Sequence, residues 1–253
     1  MKFRIIIVAV FFLCASFSFA YEDVRNLSLS AKGIDELEID CGAGFLKVYG
    51  KQGLNTIKVE AEIVLEGKSD KNAEEFLKKY LDLSLEKRGS RAVLTSGFKE
   101  YRSLFSFRNK LINLTVSIPA EMDLDVDDGS GYITIEDIAG NLVIDDGSGD
   151  IEIVNNKGNV DVDDGSGEVE LEEITGDVSV DDGSGDVSVE GVSGDVSVDD
   201  GSGSIIIRNV GGSVTVRDGS GSISIDGVEK DVSIPSDGSG SVRINNVKGK
   251  VKY

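Results

Sequence analysis

The sequence predicts an all-β protein: a two-sided parallel β-solenoid with 18-residue rungs, entered through an N-terminal cap region that holds one short α-helix. Three observations carry this. Glycines opening a Gly-Ser-Gly triplet fall at 129, 147, 165, 183, 201 and 219, eighteen residues apart, and the next is Gly238 because Pro235 adds one residue. Within a unit the apolar residues alternate with Ser, Asp or Glu, as at Val178, Val180, Val187 and Val189, which is the period of a strand. The halves of a unit also resemble each other, DVSVEGVSG (186–194) against DVSVDDGSG (195–203), so a rung is two nonapeptides, each a strand and a Gly-rich turn.

Residues 1–20 have the pattern of a secretory signal peptide. Lys2 and Arg4 precede the apolar run Ile5–Leu13, and Ser18-Phe19-Ala20 offers small residues for cleavage after Ala20. The run is too short to span a bilayer and polar Tyr21-Glu22-Asp23 follows, so no membrane span is expected after cleavage. Cleavage removes Cys14 and leaves Cys41 alone, which excludes an intramolecular disulfide.

Residues 21–120 are expected to be a β region that caps the solenoid. Ile39-Asp40-Cys41-Gly42-Ala43-Gly44-Phe45-Leu46-Lys47-Val48 aligns with Val180–Val189, which places Cys41 in the column of the second aspartate as a packed thiol. Ile57–Leu65 is a further strand. Ser69 or Asp70 caps a helix through about Tyr80, with Ala73, Phe76, Leu77 and Tyr80 on one face. The aromatic segment Phe98–Phe107 and that helix are expected to cover the open N-terminal sheet edge, while Leu114–Ile118, before Pro119, feeds the first regular rung.

Residues 121–253 are the regular repeats. One apolar column runs Ile135, Ile153, Leu171, Val189, Ile207, Ile225, Ile244; another runs from Ile138 to Val247 and is broken by Asn156. Stacked strands bury these columns in one continuous core. At the C-terminal end Lys248, Lys250 and Lys252 alternate with apolar residues, and edge lysines oppose further strand addition. A monomer is expected.

Charge is concentrated. Of 46 acids and 26 bases, residues 121–200 hold 26 acids against one base, Lys157. Such a surface disfavours nucleic acid, which needs clustered Lys and Arg. With no His, the commonest general base and zinc ligand is absent.

The stretch LTVSIPAEMDLDVDDGSG (114–131), followed by GSGD-[IV]-x-[IV] units, resembles the bacterial DUF4097 proteins, a β-strand-repeat adhesin family. The resemblance runs from Ile39-Asp40-Cys41-Gly42 to the last rung. It implies the repeat fold and an adhesin-like role, and it brings no catalytic residues. The doubled aspartate before each triplet departs from the mixed polar residues expected there.

Stacking places Asp127, Asp145, Asp163, Asp181 and Asp199 in one column, and Asp128, Asp146, Asp164, Asp182, Asp200 and Asp218 in the next. Rungs about 4.8 Å apart make the carboxylates repel. The first column is expected to be solvated and to form the partner face. The second is expected to bond the turn amides of Gly and Ser, with pKa values spread by their surroundings. The alternative is a calcium-binding β-roll-like module with Asp128, Asp146, Asp164, Asp182 and Asp200 as ligands. The usual β-roll motif wants an Asp two places after its third Gly, where Val187 stands. Arg217 replaces the first aspartate in the sixth rung and is expected to pair with Asp199.

A polysaccharide-active enzyme is disfavoured, because catalysis by paired carboxylates needs two in different surroundings and repetition makes these equivalent. Ice binding would need a threonine array that is absent. The sequence therefore points to an exported, non-enzymatic adhesion or interaction scaffold without cofactor. Its expected partner is a cell-envelope or extracellular protein or polysaccharide, reached in the periplasm, at the cell surface or outside the cell. The aromatic segment with Tyr101, Arg102 and Arg108 is expected to pack as an end cap rather than to bind.

Overall fold

Alternation every second residue puts a strand's aliphatic side chains on one face, and stacking such strands in register makes that face a continuous core. The structure, a computed structural model that describes residues 20–67, 70–99 and 107–253, has this arrangement. The expected leader falls outside the described residues, apart from Ala20, as do Ser69 and the interior of the aromatic segment, including Tyr101 and Arg102.

In chain order the N-terminal part contains β1 (Ala20–Ser30), β2 (Glu36–Lys51), β3 (Thr56–Glu66), α1 (Asp70–Tyr80), β4 (Leu81–Arg88), β5 (Arg91–Phe98) and β6 (Lys110–Pro119). The repeats begin with β7 (Asp123–Glu136), which forms both halves of the first regular rung. They continue through β8 (Leu142–Asp146), β9 (Gly149–Asn156), β10 (Val160–Asp164), β11 (Val169–Ile174), β12 (Val178–Asp182), β13 (Val187–Val192) and β14 (Val196–Asp200). The last are β15 (Gly203–Val210), β16 (Val214–Asp218), β17 (Gly221–Val228), β18 (Val232–Ser236), β19 (Val242–Val247) and β20 (Val251–Lys252). The chain makes about seven turns of roughly 18-residue rungs.

Even-numbered strands from β8 pair in parallel along one face, and odd-numbered strands from β9 along the other. Val160 opposes Val178 and Val178 opposes Val196 on the first face; Ile151 opposes Val169 and Val169 opposes Val187 on the second. As far as β18 the inward aliphatic residues of both faces are buried, and each Val or Ile so placed contributes about 1.5–3 kcal/mol relative to exposure. Asn156 is buried too; its Nδ2 donates to Gly158 O at 2.9 Å, so the one polar break in the aliphatic columns is used to hold a turn.

The two corners of a rung use backbone conformation differently. At the Gly-Ser-Gly corner the third residue of the triplet has φ between 149° and 159° at Gly131, Gly149, Gly167, Gly185 and Gly203. A Cβ on Gly185 would lie 1.5 Å from the carbonyl oxygen of Gly167, so the rungs approach each other where no side chain fits. At the opposite corner Asp137, Asn155, Glu173, Asn209 and Asn246 adopt left-handed φ of 50–62°, with Gly191 and Gly227 at the equivalent places. Asp, Asn and Gly tolerate that region; Glu173 lacks their short polar side chain or freedom from Cβ.

The N-terminal part departs from a simple continuation of the spiral. β2 is a full rung, as its alignment with the repeats predicts, and pairs in parallel with β7 from Glu36–Asp123 to Tyr49–Glu136. On its other side it pairs with β5 through residues 36–40 and with β6 through residues 46–51. Leu114–Ile118 therefore precedes the first regular rung in sequence but is separated from it in space by β2. The sheet then ends in antiparallel strands: β3 on β6 and β1 on β3 along one face, β4 on β5 along the other. Helix α1 has the expected bounds, with Ala73, Phe76 and Leu77 buried. The Phe76 ring packs against Phe98 and Phe107 at 5.4 and 4.9 Å between centroids, so both ends of the aromatic segment serve the cap. At the far end Val242, Ile244 and Val247 are only half-buried, and the exposed Lys248 Nζ meets Glu229 at 2.7 Å.

Candidate functional site

Each of the first five regular rungs enters its Gly-Ser-Gly corner on two successive aspartates, and a strand sends successive side chains to opposite faces. Asp127, Asp145, Asp163, Asp181 and Asp199 are exposed. Asp128, Asp146, Asp164, Asp182, Asp200 and Asp218 point inward and are only 1–2% exposed. Register aligns each set strictly: Asp145 with Asp163, Asp163 with Asp181 and Asp181 with Asp199, and Asp146, Asp164, Asp182 and Asp200 likewise.

The inner column holds the corner. Asp146, Asp164, Asp182 and Asp200 each accept at Oδ1 from the backbone N–H two residues on, at 3.2, 3.0, 3.0 and 2.8 Å from Ser148, Ser166, Ser184 and Ser202. This is the Asx-type turn that Asp favours. Burial pushes the inner carboxyls above the usual range, with neighbouring aspartates adding to it; Asp146 rises to about 7 and Asp182 and Asp200 to about 6.

Cys41 occupies the same column one rung earlier, opposite Asp128 in register, and its Sγ–H donates to Asp128 Oδ1 at 3.4 Å. Burial and the nearby carboxylates hold this thiol well above its ordinary pKa, which makes it a poor nucleophile. Arg217 stands beside Asp199 in register, yet no ion pair joins them. The solenoid's cations pair elsewhere, Arg208 with Glu190 and Lys230 with Asp195, both at 3.8 Å. An exposed side chain opposite another on a strand has no burial to hold it there, so register alone does not make the bridge.

A third polar column escaped the sequence reading. At the corner opposite the triplets, a side chain of one rung caps the backbone of the next: Asn141 N–H donates to Asp123 Oδ1 at 2.7 Å, Asn159 to Asn141 at 3.1 Å, Asp177 to Asn159 at 2.9 Å, Asp195 to Asp177 at 2.8 Å. The available signal was the Asp or Asn recurring every eighteen residues before a strand, hidden by the charge of the region.

Among the described residues no group of three or more His, Cys, Asp or Glu side chains is placed to hold a metal ion. Among the described residues no helix is long and apolar enough to cross a membrane. The surface clefts among the described residues include two away from the aspartate files. One of about 760 Å³ lies at the cap, between Ala31, Leu54 and Met122; one of about 430 Å³ runs along the corner of Asp177 and Asp195. Neither is lined by the inner carboxyls.

These features define a parallel β-solenoid with two stacked files of aspartates, one outward and one buried. The chain belongs to the Toastrack DUF4097 family, whose model matches residues 34–245. Among solved structures it is similar to a "putative adhesin" from Bacteroides fragilis, at 15% identity and a TM-score of 0.42, covering 91% of this chain and 96% of that one. It is similar also to a "putative cell adhesion protein" from Clostridium sporogenes, at 13% identity and a TM-score of 0.34, covering 92% and 98%. None of the curated proteins matches the chain.

Proposed function

We propose that the chain is exported and works at the cell envelope as a non-enzymatic adhesion or interaction scaffold, meeting its partner through the outward acidic face. The observation that carries this reading is the exposed column Asp127, Asp145, Asp163, Asp181 and Asp199, fixed in register on a wide, regular sheet. Solenoid faces present long binding surfaces without moving parts. A file of carboxylates on such a face attracts a cationic protein surface, or an anionic polymer bridged by divalent ions. A non-enzymatic role is supported by the distribution of perturbed groups: the carboxyls whose pKa is raised most are inside the solenoid, out of reach of a substrate.

The test compares cells that carry the gene, lack it, or carry a variant with these five residues changed to Ser. Fractionation and mass spectrometry of the N-terminus should find the protein outside the cytoplasm, beginning at Tyr21. Attachment should fall on deletion and stay low with the variant, whose fold circular dichroism should show intact. Unchanged attachment of the deletion strain, or a variant that attaches like wild type, would sink the proposal.

A further inference from the structure

The inner aspartate column presents an accounting problem. An isolated buried charge and a buried polar atom without a partner are both costly. The six inner aspartates are 1–2% exposed, and Oδ2 of Asp128, Asp146, Asp164, Asp182, Asp200 and Asp218 has no hydrogen-bond partner. The groups that face the column are acidic too. They are Asp127, Asp163, Asp181 and Asp199 on the same strands, Asp150 and Asp186 across the corner, and Asp237 beyond Asp218, with Asp40 beside Cys41. Among the described residues no Lys or Arg pairs with any member.

Protonation resolves both costs together. A neutral carboxyl turns Oδ2 into an O–H donor, and each Oδ1 that accepts one serine N–H keeps a second lone pair free. We propose that the inner column is a proton-sharing spine, a file of protonated carboxyls in which Oδ2–H of one rung donates to Oδ1 of the next, running from the Cys41 thiol to Asp218. The start of the file sets its direction: Cys41 has a proton to give, and it gives it to Asp128 Oδ1. Six rung steps of about 4.8 Å make the spine about 29 Å long. Its six aspartates are shut from water, so the folded state holds their protons more tightly than the unfolded chain does.

The consequence is a solenoid stabilised by mild acid. The inner carboxyls bind protons more tightly when folded than when unfolded, so the folded chain holds more protons above the ordinary value near 3.8, up to about 7 at Asp146 and about 6 at Asp182 and Asp200. Their contribution is complete below the ordinary value and is lost as pH rises through 6 to 7.

Infrared and carboxyl-carbon NMR spectra of the intact protein, taken between about pH 4 and pH 8, read the spine directly. At about pH 5.5, well above the ordinary aspartate value, signals of protonated aspartate should persist, then vanish as pH rises, while the melting temperature falls. Asp146→Asn and Asp182→Asn replace O–H by N–H; they should remove part of that signal and flatten the fall, whereas Asp181→Asn should change neither. Ionisation of every aspartate near its ordinary pKa in the wild type would overturn the proposal, whatever the variants do. So would a melting temperature at pH 7 that calcium raises well beyond magnesium, because a metal would then hold the column.

Discussion

Asp181 and Asp182 are adjacent, chemically identical and repeated on the rungs above and below, yet they live in different media. Asp181 is exposed and sits in register between Asp163 and Asp199 with water to screen it. Asp182 is 1% exposed, accepts the Ser184 amide at 3.0 Å and has its pKa lifted to about 6 by burial. One residue of strand phase separates a solvated charge from an interior hydrogen-bonding group. Composition therefore overstates the surface charge of this protein, since one aspartate in each doubled pair belongs to the core.

The comparison can be broken at the corner that creates it. Gly185→Ala forces a Cβ into the Gly167 carbonyl, 1.5 Å away, at a φ of 159°; a loss of about 3 kcal/mol or more is expected, measured by denaturant unfolding. It can be sharpened by truncating the pair one member at a time. Asp182→Ala should cost about 1–3 kcal/mol by freeing the Ser184 amide and leaving a cavity, while Asp181→Ala should stay within about 0.5 kcal/mol. Equal costs for the two would mean that strand phase does not divide them. The smallest effect is expected at the opposite corner and carries the other sign. Glu173→Gly relieves a left-handed φ of 58° and should raise stability by about 1 kcal/mol, visible as a higher melting temperature.

Much of this was legible in the residues. The eighteen-residue spacing of the triplets placed the rungs, and alternation placed Val178, Val180, Val187 and Val189 in the core. The match of Ile39–Val48 to a rung placed Cys41 in the column of the second aspartate. The split of the aspartates into an outer and an inner file follows from the same period. Less legible was the ladder from Asp123 to Asp195, whose members vary between Asp and Asn and whose partner is a backbone N–H in another rung. The expected bridge from Arg217 to Asp199 failed because exposed partners in register are free to turn to water.

What the sequence determined by itself was the rung: strand length, turn chemistry, the buried face and the repeat that copies them, all set by residues within one or two units of each other. Only the tertiary structure decided how the N-terminal segments join that stack. β2 lies between β7 and the β5–β6 pair, and β1, β3 and β4 close the edges in antiparallel fashion. A strand's alternation says which face is buried and nothing about which distant strand takes its open edge. The free thiol that begins the buried file, against Asp128, emerges from that choice of neighbour.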